Sequence, residues 1–447
     1  MRDLVLLAIL PVFLYAMAQR PFIGVGMWLW TALFFPNGWV YGLAAGIRYN
    51  LLFAAIAAIS YLAMKNKPRV HFGALGGLIL LFFAWTTIST MTTIGSPDIA
   101  WEIWNRFGKI IMLFVFVLLV VEKKLHVDFI LWCVVLSVGF YANLESLKFI
   151  ASGGGHMISG MVGHVLWDRN ELAVAFVMTL PICYYLFEEY GKQAKIVRYG
   201  LIGTMALLAI GVIGTQSRGG FIALLALGGY LFLKSERKIL MSVLIIAIVL
   251  VIGQLISTDY IDRINTIESA NEDASFMGRV IAWKLSFIMA VEHPFFGGGF
   301  KALEQLPVWR TLAADFFSYS WFYSGDAIPS LTGSKAAHSI YFQVLGDHGF
   351  VGLAIYMSFL FGAFWKAGRL ASTARRRAAP AWFKTLATML QLTIFSFALG
   401  GSALSFAYFD LIFAIIGIVI VLESRILPAL LIEQARVQPI TAEDAPA

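Results

Sequence analysis

Apolar runs close to bilayer-spanning length recur along almost the whole chain, at about 43–64, 72–94, 107–121, 128–150, 171–187, 197–214, 219–234, 239–257, 338–365, 383–401 and 404–423. A helix needs about 20 apolar residues to cross the hydrocarbon layer, where its backbone N–H and C=O groups find partners only within the segment. The repetition therefore predicts an all-α, polytopic transmembrane helix bundle. Charged residues are 13% of the 447 and apolar ones 60%, whereas a soluble chain carries about a quarter charged residues. Residues 4–35 are interrupted by Gln19-Arg20-Pro21. Counted as one inserted unit they give about twelve spans, the number expected, and as two they give thirteen.

The net charge of +7 is informative by position. Basic residues crowd the connectors 65–69, 123–124, 192–198, 234–238 and 366–384, the last with Arg375-Arg376-Arg377. Positive connectors mark the cytoplasmic face, so both chain ends and these five connectors are expected inside. The exported face then carries 95–106, 151–170, the turn Thr215–Gly219 and one long segment, 258–337. That segment holds six basic and nine acidic residues up to His338, without the basic surplus found elsewhere. The organisation expected is a bundle over 1–257, a large periplasmic loop over 258–337, further spans over 338–432 and a disordered tail over 433–447. The first apolar run has no small-residue cleavage site, so no removable leader is expected. Cys133 and Cys183 lie in apolar runs and predict no disulfide framework.

Within the long loop, Ser275 can cap a helix whose apolar positions Phe276, Val280, Trp283 and Phe287 recur at helical spacing. His293-Pro294 stops it, and Gly297-Gly298-Gly299 supplies the following turn. Such a helix would lie on the membrane surface or over the bundle mouth. Tyr319, Trp321, Phe322 and Tyr323 read first as an interfacial aromatic belt and second as a stacking face for sugars.

Chemistry-bearing residues gather on the same expected face. His338, in Ala337-His338-Ser339, stands where the long loop returns to an apolar helix, a boundary at which imidazole can titrate and reach both lipid and water. Arg218 sits in a turn too short to carry a guanidinium far from hydrocarbon, which calls for a polar cavity or a fixed anion. Arg279 is placed by this reading in the first turn of the loop helix, where free N–H groups and a guanidinium could together hold a phosphate. Asp168-Arg169-Asn170-Glu171 adds a polar cluster, with Arg169 and Asn170 as candidate site wall and Asn170 also able to cap the helix. Asp347-His348 reads as a buried structural contact, with Gly346, Gly349 and Gly352 allowing close helix packing. The sequence has no phosphate-binding G-x-x-x-x-G-K-[ST] loop, no His-Glu-x-x-His and no Cys/His cluster. Neither ATP, nor a cofactor, nor a metal is expected. Arginines and one histidine suit a substrate that brings its own diphosphate leaving group.

The stretches Gln216-Ser217-Arg218-Gly219, Gly278-Arg279-Val280-Ile281-Ala282-Trp283, His293-Pro294 with Gly297-Gly298-Gly299-Phe300, and Ala337-His338-Ser339-Ile340-Tyr341-Phe342-Gln343 with Gly349 resemble the O-antigen ligase/polymerase family. The beginning, from Met1-Arg2-Asp3-Leu4 through Arg20-Pro21-Phe22 to Pro36-Asn37, resembles O-glycosylation ligases of the same superfamily. The resemblance implies a GT-C-like glycosyltransferase of the bacterial inner membrane with a periplasmic active site. It would move a glycan en bloc from undecaprenyl diphosphate to a lipid A-core hydroxyl. Arg218 and Arg279 would bind the diphosphate and His338 would act as general base, with Tyr341 and Gln343 as further site wall. The rivals are an O-antigen polymerase, a protein O-oligosaccharyltransferase, and a flippase for lipid-linked oligosaccharide. A flippase would place ionisable groups near the midplane of several helices.

Overall fold

The computed structural model describes residues 2–234, 238, 271–320 and 328–437. The apolar runs become α1 (Arg2–Gln19), α2 (Pro21–Phe34), a short α3 (Gly42–Ala45), α4 (Tyr49–Ala63), α5 (Gly73–Met91), α6 (Pro97–Val120), α7 (Lys124–Ala151), α8 (Arg169–Tyr190), α9 (Lys195–Gly214) and α10 (Arg218–Lys234). After the long loop's α11 (Asn271–Glu292) and α12 (Leu306–Ala314) come α13 (Ile340–Arg376), α14 (Ala381–Gly400), α15 (Asp410–Val421) and α16 (Leu427–Val437). Among the described residues nine helices are long and apolar enough to cross a membrane, and three shorter apolar helices, Pro21–Phe34, Tyr49–Ala63 and Arg218–Leu233, join them. The chain is an all-α, multi-pass membrane protein. The expected span at 239–257, the aromatic residues 321–323 and the tail beyond 437 lie outside the described residues.

Residues 4–35 form two helices, broken at Arg20-Pro21. Arg20 adopts extended backbone angles and Pro21 occupies the first turn of α2. Proline starts a helix readily but cannot continue one, because it lacks the N–H and clashes with the preceding turn. At the centre of the bundle, α15 is apolar all round and buried along its whole length, as a helix without a polar face must be. α8 packs between α9 and α14, and α13 packs on α5, α11 and α14.

The basic connectors meet at one end of the bundle. Arg425 donates to the carbonyls of Val121 and Arg69, Lys366 pairs with Glu423, and Lys124 bridges Asp128 and Glu189. At the other end the long loop closes over the helix ends. Its α11, with α12, forms a second apolar core of Ile281, Leu285, Ile288 and Met289 against Trp309, Leu312, Phe316 and Ala337.

The loop is anchored by a break in α13. Gly349 has φ 70° and ψ −172°, an angle pair open only to glycine. Into the break runs the backbone of 294–299: Phe350 N–H donates to Pro294 O (2.9 Å), Gly298 N–H to Gly346 O (2.8 Å) and Gly299 N–H to Asp347 O (2.9 Å). Gly346 packs closely against Ser286 and Met289 of α11, as expected of a helix-packing glycine, whereas Gly349 makes room for the loop. A Cβ on Gly349 would lie 2.6 Å from Pro294 O. Gly349→Ala is expected to destabilise the protein by about 2 kcal/mol or more, read as a lowered thermal unfolding midpoint in detergent. Beneath the break, His348 bonds Ser89 Oγ (2.9 Å) and Tyr408 OH (2.9 Å), and Tyr408 donates to Asp347 (3.0 Å). Fully buried and mutually satisfied, Asp347 and His348 are the structural contact expected of them.

Candidate functional site at the loop-bearing end of the bundle

Four elements far apart in the chain bring their ends together beneath the loop. α8 begins at Asp168, whose carboxylate accepts from both the backbone N–H and the side-chain amide of Asn170 (2.8 and 2.9 Å). The helix cap is therefore Asp168, not Asn170, since an Asx side chain at that position reaches the N–H two residues on. Arg169, next in line, is partly buried and donates to Met157 Sδ (3.4 Å).

α10 begins in the short turn. Gln216 takes a left-handed φ of 56°, Ser217 Oγ accepts the Gly220 N–H (3.2 Å), and Arg218 is the first helical residue, exposed at the end of the bundle. Gly219 and Gly220 let this turn sit against its neighbours: Cβ atoms there would lie 3.0 and 2.5 Å from the Cβ atoms of Ala403 and Ala173. The turn is thus pinned while its arginine stays outside.

Arg279 is on α11, but eight residues in rather than in the first turn, since the helix starts at Asn271. The backbone N–H groups around Arg279 are consequently spent within the helix, and what it offers an anion is its guanidinium alone.

His338 lies one residue before the cap of α13 with φ 46°, a left-handed conformation that costs a non-glycine residue on the order of 1 kcal/mol or more. It is held there by Ser405 Oγ, which accepts the His338 N–H (2.8 Å), between the buried Ala337 and Ser339. Tyr341 and Gln343 lie behind it: Tyr341 OH donates to Ala398 O (2.8 Å) and Gln343 Oε1 accepts from Ala407 N–H (3.0 Å). Gln343 thus ties the histidine segment to the connector that carries Ser405, and Tyr341 ties it to the last turn of α14. Gln343 and Ser405 also line a narrow crevice of about 10 Å³, room for about one water, with Ala337, Lys301 and Glu304.

Electrostatics joins these residues into one site. Burial lowers the pKa of Arg279 from its ordinary value, Arg218 and Arg169 lower it further, and Asp168 opposes them. Burial also lowers the pKa of His338, and Arg279 and Lys335 add to this against Asp168 and Glu304. Arg279 is thus within electrostatic reach of Arg218, Arg169 and Asp168, and His338 within reach of Arg279, Lys335, Asp168 and Glu304, with its imidazole neutral near pH 7. Such crowding of like charge is costly until an anion of more than one negative charge enters.

Lys335 is the residue sequence reasoning passed over. Its ammonium occupies the space over Gly278 that any Cβ there would fill, next to Arg279. The signal available was its position three residues before His338, which is too weak to use without the fold. Lys335→Met is expected to weaken donor binding several-fold and to move the acidic limb of the activity profile to higher pH, because a charge that depresses the His338 pKa is gone. A pH series of initial rates checks this. Among the described residues no group of three or more His, Cys, Asp or Glu side chains could hold a metal ion.

Comparison with known families bears on both halves of the chain. A family model described as O-antigen ligase matches residues 203–357, which include Arg218, Gly278, Arg279, Lys335, His338 and Gln343. A second model, a family of unknown function (DUF5935), matches residues 1–191, which include Arg169 and Asn170. No curated protein matches the chain.

Proposed function

We propose that this chain, a member of the O-antigen ligase/polymerase family through its residues 203–357, transfers a glycan en bloc from undecaprenyl diphosphate to a hydroxyl of a lipid A-core oligosaccharide. The family places it in membrane glycosyl transfer during O-antigen or polysaccharide assembly. The observation carrying the finer reading is the convergence of Arg169, Arg218 and Arg279 with a neutral His338 at one end of a membrane bundle. A lipid diphosphate is a good leaving group once its growing charge is neutralised, and guanidinium forks do this well. The acceptor hydroxyl is the weak partner. His338 takes its proton as the oxygen bonds to the anomeric carbon, the bond from that carbon to the diphosphate oxygen breaks, and the diphosphate departs with both bonding electrons. Direct displacement inverts the anomeric configuration.

The decisive experiment supplies purified protein with lipid-diphosphate glycan and, in separate reactions, lipid A-core, a second lipid-linked glycan, or protein acceptor. Product with inverted configuration on lipid A-core supports the ligase. Product only on lipid-linked glycan points to a polymerase, product only on protein to a protein glycosyltransferase, and no product on any of the three removes the enzymatic reading.

The site face is proposed to be periplasmic, as the basic connectors at the other end support. A cysteine replacing the exposed Leu331 should react with a membrane-impermeant thiol reagent in intact cells with a permeabilised outer membrane, and one replacing Arg376 should not. The native Cys133 and Cys183 are buried and should stay silent. The opposite labelling would put the site in the cytoplasm.

A further inference from the structure

On the outer face of the bundle, away from the transfer site, α5 and α6 form an open groove of about 490 Å³ lined by Phe83, Trp104, Asn105, Gly108, Lys109 and Met112, with Phe116 deeper. Its upper wall is rigid, because Phe83 stacks on Trp104 (ring centroids 5.3 Å apart) and Trp104 Nε1–H donates to Thr87 Oγ1 (3.0 Å). Gly108 forms the floor: a Cβ there would meet only Phe83, at 3.6 Å, so space rather than close packing lies above it.

The unusual member is Lys109. It stands twelve residues from Pro97 and eleven from Val120 in α6, about 18 and 16 Å from the two helix ends. It is the third residue of the apolar run 107–121, just below the polar start of α6 with Glu102, Asn105 and Arg106, at the level where head groups meet the hydrocarbon layer. It is exposed, and it has neither an ion pair nor a hydrogen bond among the described residues. The neighbouring Arg106 does have a partner, Glu102 at 3.2 Å. An unpaired ammonium at that boundary is placed to hold a lipid phosphate.

The polarity of the groove is ordered along the helix. Trp104 and Asn105 lie toward the Pro97 end, Lys109 in the middle, and Met112 and Phe116 toward the other end. Helical side chains lean toward the helix N-terminus, so the lysine reaches up toward Asn105. The Pro97 end is the one tied to the site loop, through Ile94 N–H to Gly298 O (3.0 Å) and Ser96 N–H to Gln305 Oε1 (2.6 Å). A lipid from the same leaflet as the transfer site, with its head up and its chains down, matches this order.

We infer that the α5–α6 groove binds one anionic phospholipid of that leaflet, its phosphodiester on Lys109 and Asn105 and its chains along Met112 and Phe116. A phosphodiester fits better than a lipid diphosphate because a single unpaired cation serves it, whereas the crowded arginines of the transfer site serve higher charge. Snorkelling of Lys109 to bulk water is the alternative, and it predicts no lipid preference.

Native mass spectrometry of the full chain, released from mixed vesicles of phosphatidylglycerol and phosphatidylcholine with identical acyl chains, tests the assignment. The wild-type protein should keep one phosphatidylglycerol in preference to phosphatidylcholine. Lys109→Gln should reduce that retention about fivefold, Lys109→Arg should preserve it, and Gly108→Leu should reduce retention of both lipids by filling the floor. Gel filtration of each variant checks that it remains folded. Equal retention of the two lipids by wild-type protein, unchanged retention in Lys109→Gln, or mole-for-mole displacement by undecaprenyl phosphate would overturn the assignment.

Discussion

With alanine in place of His338, the protein is expected to insert, fold and bind donor, yet to transfer glycan roughly a hundredfold or more slowly, the lower end of what a general base contributes. The reason is the division of labour in the site. Neutralising the leaving diphosphate falls to the arginines and is untouched by the substitution, whereas taking the acceptor's proton falls to His338. Only neutral imidazole can do so. Burial and the nearby Arg279 and Lys335 lower the His338 pKa from its ordinary value, so wild-type activity should persist to lower pH than an ordinary histidine would allow and fall as pH drops through the lowered value. The measurement is the initial rate of transfer against pH for wild type and His338→Ala, with donor binding measured separately. Near-normal transfer by the variant, or a product that keeps the donor's anomeric configuration, would remove His338 as base.

The second large effect concerns the guanidiniums. Arg218→Ala and Arg279→Ala should each abolish or severely reduce transfer, and lysine at either position should rescue poorly. A point charge replaces the Coulomb attraction but not the planar fork that meets two phosphate oxygens at once. The two positions should differ in one respect. Arg279 depresses the His338 pKa, so whatever activity Arg279→Gln retains should show its acidic limb at higher pH. Full activity of Arg279→Ala would mean that the loop arginine is a surface charge and that the diphosphate is held elsewhere.

Ser405 offers a milder variant. Its hydroxyl accepts the N–H of a histidine held at φ 46°. Ser405→Ala should lower transfer more than donor affinity, since its hydroxyl bonds the backbone of His338. Equal loss of both would show that the connector supports the whole mouth and not the histidine alone.

Much of this protein was legible from local chemistry. Hydropathy of about twenty consecutive residues is a property of each segment by itself, so the helices and the all-α class followed directly. Segregation of basic connectors to one end is likewise local, and Arg69, Lys124, Lys366 and Arg425 do meet there. The residues His338, Arg218 and Arg279 could be named because each sits at a boundary between polar and apolar sequence. What the sequence could not supply was distance. Asp168, Arg218, Arg279 and His338 belong to four elements, and only packing of α8, α10, α11 and α13 makes each feel its neighbours' charge. Helix starts were also out of reach by pattern alone. Arg279 looked like a first-turn residue because the apolar period begins at Phe276, but the helix is already formed at Asn271. The glycines divide for a related reason: Gly346 packs closely on α11 as its pattern suggests, yet at Gly349 a backbone loop fills the space. Lys335 over Gly278, and the inward commitment of Tyr341 and Gln343, are tertiary facts of the same kind. They depend on which side chain arrives from elsewhere in the chain, and that is decided when the loop closes on the bundle.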